Sequence, residues 1–163
     1  MTQKKASLGR RIVNAGLVGL VLPIVLPLAL ISVMLWLAHR ILVYLLIWAL
    51  WLPKGKDILF VSSDSPIWHE YMTIQVLPRV QERAIVLNWS ERNKWSSLSF
   101  RVHVFRCFGG SREFNPLIVW FRPFQRARIY RFWSAFKDWK RGYQDPIQRM
   151  TQELFTSLQH PSS

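Results

Sequence analysis

The sequence predicts an α/β chain in two parts: an N-terminal membrane helical segment, then a small basic domain of mixed strands and helices. Three observations predict it. The 27 residues from Ile12 to Ala38 carry no charge. The chain has 163 residues and a net charge of +13, yet no Asp or Glu precedes Asp57. From Asp57 onward, short apolar runs alternate with polar turn residues and with apolar residues at helical spacing. Nine Trp and ten Phe argue against disorder, which needs few aromatics.

The N-terminal flank, residues 1–11, carries Lys4, Lys5, Arg10 and Arg11. A membrane-embedded region follows at 12–53. Its first run exceeds the ~20 residues needed to cross the ~30 Å hydrocarbon core as a helix. It is apolar on all sides, unlike a surface helix with one apolar stripe. It is also too long for the ~7–15-residue core of a signal peptide. Pro23 and Pro27 each remove a backbone donor and predict a kink. His39 and Arg40 then separate a second run, Ile41 to Leu52, that contains Tyr44, Trp48 and Trp51. That run covers only ~18 Å as a helix, and Trp and Tyr favour the membrane–water interface. Three arrangements fit: a kinked span with an interfacial helix at 41–52, a hairpin, or a re-entrant segment. The hairpin would draw Arg40 into the membrane at ~2.5–3.5 kcal/mol if central. A single span with its basic start inside would put the domain outside; the other two would keep it inside. Lys54, Lys56 and the basic domain favour the cytoplasmic face.

The domain is expected at 57–160. Asp57–Ser62 has strand composition. Ser63-Asp64-Ser65-Pro66 is turn and cap chemistry, with Pro66 suited to the first position of a helix. Ile67, Trp68, Tyr71, Met72 and Ile74 continue at roughly helical spacing until Pro78. Ala84–Leu87 is a second strand, so strand, helix and strand form a βαβ unit with parallel strands. Phe100–Phe105 alternates like a strand, Gly109-Gly110 marks a turn, and Leu117–Phe121 reads as a further strand. Two C-terminal helices are expected, Pro123–Arg141 and Pro146–Leu158. The sheet would have three or four strands.

In such a sheet, ligands bind beyond the carboxyl ends of parallel strands. The loops there would bring Asp64 and Glu91 together as base or metal-holding carboxylates. Ser63, Ser65, Asn88, Ser90 and Arg92 would hold an anion or substrate beside them. The bland alternative is ordinary helix capping at both loops. Asp57 to Arg92 is loosely similar to half of the Rossmann-like nucleotide-sugar-binding domain of glycosyltransferases. That resemblance implies a phosphorylated, lipid-linked or nucleotide-sugar substrate.

Other motifs lead nowhere. His69-Glu70 lacks the second His of a zinc protease, because that position is Thr73. Gly109-Gly110-Ser111 lacks the spacing of a phosphate loop. Asn88-Trp89-Ser90 is a glycosylation sequon, relevant only in a secretory lumen. Cys107 is the sole cysteine, which excludes an internal disulfide and a four-Cys zinc site. No metal and no cofactor is expected.

Between Arg101 and Gly142 the sequence holds ten Lys or Arg against Glu113 and Asp138. Within it, Arg126, Arg128, Arg131, Trp133, Phe136 and Trp139 suit a basic amphipathic helix lying on a membrane surface. A domain helix with a packed aromatic face fits the same residues. The expected partners are an anionic lipid bilayer and another membrane protein, rather than nucleic acid. The sequence thus points to an integral membrane protein. It would be a non-catalytic accessory protein or, alternatively, a small membrane-bound transferase-like enzyme.

Overall fold

The computed structural model describes residues 2–110, 116–143 and 145–159, with side chains from Pro23 onward. The chain divides into two compact units, 1–42 and 43–163.

The first unit is helical. Helix α1 is Thr2–Leu50 and contains Pro23 and Pro27. The residues at both prolines and at His39–Arg40 are helical, so the chain does not turn back there. A proline costs its own helix bond, but the bonds around it survive where no water competes for them. Within Pro23–Lys54, an 18-residue window has a mean hydropathy of 2.1 and is 11 % buried. That is long and apolar enough to cross a membrane. The Arg40 guanidinium lies over the Trp36 ring, 5.4 Å from its centre.

The second unit begins with the last turns of α1. Val43, Ile47 and Trp51 are buried at 3 %, 0 % and 6 % exposure, while Leu42, Leu45 and Leu50 are exposed. The spacing of four puts the buried three on one helical face. The run Ile41–Leu52, expected to lie in the membrane interface, therefore gives one face to the domain core. Its apolar composition reflects protein packing as well as any lipid contact.

The sheet has four strands in the order β2-β1-β3-β4. They are β1 (Ile58–Ser62), β2 (Ala84–Asn88), β3 (Leu117–Trp120) and β4 (Arg128–Arg131). β1 and β2 are parallel; β3 is antiparallel to β1 and to β4. The expected βαβ unit is present. Its crossover runs through α2 (His69–Tyr71), a π-helical stretch Met72–Val76 and α3 (Leu77–Val80). Pro78 follows the π-helical stretch. It has no N–H to donate to the preceding turn, and the wider winding accommodates that gap.

Alternate sheet residues serve two cores. Ile58, Phe60, Ile118, Trp120 and Tyr130 pack with Trp68, Met72, Val76, Phe132, Phe136, Ile147 and Leu154. Leu59, Val61, Leu117 and Val119 pack with Val43, Ile47, Trp51, Val102, Phe105, Phe108 and Phe121. The sheet thus lies between the crossover helices with α5 (Trp133–Lys140) and α6 (Asp145–Gln159) on one side, and the end of α1 with α4 (Phe100–Gly109) on the other.

Two expected elements differ. Phe100–Phe105 is the start of helix α4, not a strand. Its alternation lasts only five residues. Burial of Val104, Phe105 and Phe108 follows helical spacing instead. A side chain at Gly109 would make the buried Phe105 ring move, because a Cβ would lie 2.9 Å from it. Likewise Pro123–Arg141 is not one helix. Arg128–Arg131 forms β4 against β3, and α5 begins only at Trp133. The remaining C-terminal helix, α6, starts at Asp145 as the Asp-Pro pair predicts.

Candidate functional site

Parallel pairing of β1 and β2 sets Ser62 opposite Asn88, so the two following loops lie side by side. The Asn88 amide donates to both Asp64 carboxylate oxygens, at 3.0 and 3.2 Å. The Asp64 backbone N–H donates to Ser90 Oγ at 2.9 Å. The Ser90 N–H in turn donates to Asn88 Oδ1 at 2.9 Å, capping the 3-10 turn Trp89–Lys94. His69, the first residue of α2, places Nδ1 3.8 Å from Asp64 Oδ1. The Asp64 and His69 side chains are both about half exposed, at 56 % and 50 %.

The structure brings together Asp64, Asn88 and Ser90 of the expected set and adds His69. It directs the others elsewhere. Glu91 pairs with Lys94 at 3.2 Å. Arg92 lies over the Trp89 ring, 5.3 Å from its centre. Ser63 is buried and its hydroxyl accepts the Trp68 indole N–H at 2.9 Å. The Ser65 carbonyl accepts the amides of Trp68 and His69. Chemically, the cluster is an exposed carboxylate oriented by an amide and next to an imidazole. It also staples two loops, and its bonds are those of turn and cap chemistry. His69 was missed because its sequence neighbours fit no metal motif. The usable signal was its position five residues beyond Asp64, across the turn that opens the crossover.

The six expected surface residues separate as well. Arg131 donates to the Gly109 carbonyl at 2.8 Å, and Arg128 to Ser157 Oγ at 3.1 Å. Both sit on β4 and help hold helices to the sheet edge. Arg126 is exposed in the β3–β4 loop. Phe136 is 1 % exposed and belongs to the core. Trp133 is half-buried and Trp139 lies at the edge at 37 %. An apolar hollow of about 200 Å³ lies between the turn that precedes α2 and helix α5, lined by Ile67, Trp68, Trp133, Phe136, Lys137 and Lys140. The Lys137 ammonium lies 5.7 Å from the centre of the Trp133 ring.

The opposite end of the sheet is built differently. Asp57, just before β1, takes Nε–H and Nη2–H bonds from Arg83 and one from the Trp120 indole at 3.0 Å. On α4, Cys107 Sγ lies 3.6 Å from His103 Nε2. No family model, curated protein or solved structure matches this chain.

Proposed function

We propose that this is a membrane-anchored, non-catalytic accessory or interaction protein, with α1 embedded in the bilayer and its basic α/β domain resting on the anionic cytoplasmic surface. One observation carries the reading. Eleven large apolar side chains between Ile24 and Leu37 are each 47–69 % exposed. Keeping so much apolar surface in water costs on the order of 1 kcal/mol for each such residue. A bilayer, or a helix of another membrane protein within it, removes that cost. The side is argued from charge. Lys54, Lys56 and the arginine-rich second half of the chain favour the leaflet that holds anionic lipid. The four N-terminal basic residues pull the other way across a single span.

Extraction and protease protection test both parts. The full chain should stay in the membrane pellet at alkaline pH and be released only by detergent. Its domain should be digested in inside-out vesicles and protected in right-side-out ones. Release by alkali alone would overturn the anchoring. Digestion only from the outer face would overturn the side.

The convergence of Asp64, His69, Asn88 and Ser90 favours a second reading. In it the βαβ unit is Rossmann-like, and the chain is a small membrane-bound transferase acting on a phosphorylated, lipid-linked or nucleotide-sugar substrate at the β1–β2 loops. Titrating the chain with nucleotide-sugars separates the two. Binding that Asp64→Asn abolishes favours the enzyme, and no saturable binding favours the accessory protein.

A further inference from the structure

The loop that joins β3 to β4, residues 121–127, lies at the end of the sheet where β1 begins, because Ile58 pairs with Trp120 and Trp120 with Arg128. At its tip Phe124 is 88 % exposed. Every other described phenylalanine is buried or half-buried. Its φ is 58°, and it is the one described residue other than glycine with positive φ. That region is disfavoured for a bulky side chain, and Gly or Asn would occupy it at lower cost. A large apolar residue, strained and in the open, needs a partner that rewards it.

The surroundings identify the partner. Phe124 packs against Trp48, with ring centres 5.0 Å apart and planes tilted by 52°, and the Ala127 amide donates to the Tyr44 hydroxyl at 3.1 Å. Tyr44 and Trp48 belong to the last turns of α1, just after the long apolar run. They are the residue types that collect at membrane–water interfaces. Arg122 and Arg126 flank the tip, with Arg128 next, and no acid occurs from Pro116 to Lys137. Arg122 lies over the Trp120 ring, 5.4 Å from its centre. Aromatic tip, basic flanks and a neighbouring pair of interfacial aromatics together match the boundary between headgroups and acyl chains.

We infer that the β3–β4 loop is a second membrane contact: Phe124 enters the interface of an anionic bilayer while Arg122 and Arg126 bind lipid phosphates. This rests on the anchored reading above and adds to it a specific footing for the domain. The loop holds the domain against the surface, so that α1 does not act as a simple tether.

The test uses the full chain in vesicles of phosphatidylcholine with phosphatidylglycerol. In a Cys107→Ser background, an environment-sensitive fluorophore is placed by Leu30→Cys, Phe124→Cys or Leu98→Cys. Leu98 is 96 % exposed and lies in the polar loop before α4, with no positive φ and no contact with Tyr44 or Trp48, so it is the aqueous reference. A phospholipid with a quencher high on its acyl chain reports depth. The inference predicts quenching at 30 and at 124 but not at 98, with the signal at 124 reduced severalfold by Arg122→Gln with Arg126→Gln. Quenching at 30 with 124 as aqueous as 98 would overturn this inference alone. No quenching at 30 would overturn the anchored reading itself. A photo-cross-linking phenylalanine analogue at 124 in the native chain gives the same answer without touching Cys107: lipid adducts support the contact, and their absence beside adducts from position 30 overturns it.

Discussion

The two ends of the sheet carry opposite chemistry. Where β1 and β2 finish, Asp64, Asn88 and Ser90 bind one another through three side-chain or backbone donors. Where β1 starts and β3 turns into β4, the surface is aromatic and cationic, with Phe124 in the open and Arg122 and Arg126 beside it. Hydrogen bonding at that second end is incomplete: the Trp48 indole N–H and Arg122 Nε–H are shielded from solvent and have no hydrogen-bond acceptor among the described residues. One end is complete within the protein. The other leaves a phenylalanine 88 % exposed beside two arginines. A polar cluster in the expected ligand position is therefore not the strongest sign of function here; the mismatch between side chains and water at the other end is stronger.

The comparison can be broken first through Asp57, which anchors the start of β1. Its side chain is 14 % exposed and bonded to Arg83 and Trp120. Asp57→Ala leaves three N–H donors, two on Arg83 and one on Trp120, without their acceptor, and a loss of roughly 3 kcal/mol is expected, discounted because Arg83 is partly solvated. Thermal unfolding of the full chain in a mild detergent should show it as the largest fall in midpoint of these variants. A fall no greater than that of a surface substitution would mean this end is not held as described.

Asn88→Ala attacks the polar end. It removes the cap on Ser90 and both bonds to Asp64, and roughly 1 kcal/mol should be lost. If the cluster is a staple and not a ligand site, that loss should appear with no change in vesicle association. A change in lipid binding without a change in midpoint would reverse the roles assigned to the two ends.

Phe124→Asn sharpens the contrast most finely. Asparagine tolerates positive φ, but the tilted ring contact with Trp48 is lost at about 0.5–1.5 kcal/mol. The two terms oppose each other, so the midpoint in detergent should move by less than about 1 kcal/mol. Binding of the domain face to anionic vesicles should weaken all the same. His69→Ala should do the least. At 3.8 Å and half exposed, its pairing with Asp64 contributes at most a few tenths of a kcal/mol. A midpoint shift as large as that of Asn88→Ala would give His69 a role not recognised here.

Much of this architecture was legible before the fold was known. The uncharged run from Ile12, the β1–crossover–β2 unit and a strand at Leu117 follow from hydrophobic period and turn residues. Phe100–Phe105 misled because five residues of alternation suit a strand and a short helix equally; the decisive residues, Cys107 to Gly109, lay beyond the window. Arg128–Arg131 misled for the opposite reason. Aromatic residues at helical spacing continued through a segment whose pairing with β3 is a long-range fact that local spacing does not contain. At the site, parallel pairing foretold that Asp64 and Asn88 would meet. It could not foretell the side-chain directions of Glu91 and Arg92, which depend on Lys94 and Trp89 within their own turn. Phe124 was invisible for a related reason, since its exposure and its φ exist only once β3 and β4 have paired.

Hydrogen exchange reads both ends of the sheet at once. The full chain is placed in phosphatidylcholine vesicles with and without phosphatidylglycerol, and exchange is compared at residues 122–127 and 89–94. Anionic lipid should slow exchange in the β3–β4 loop and leave the loop after β2 unchanged. Equal slowing at both, or slowing at 89–94 alone, would contradict the membrane contact at the β3–β4 loop.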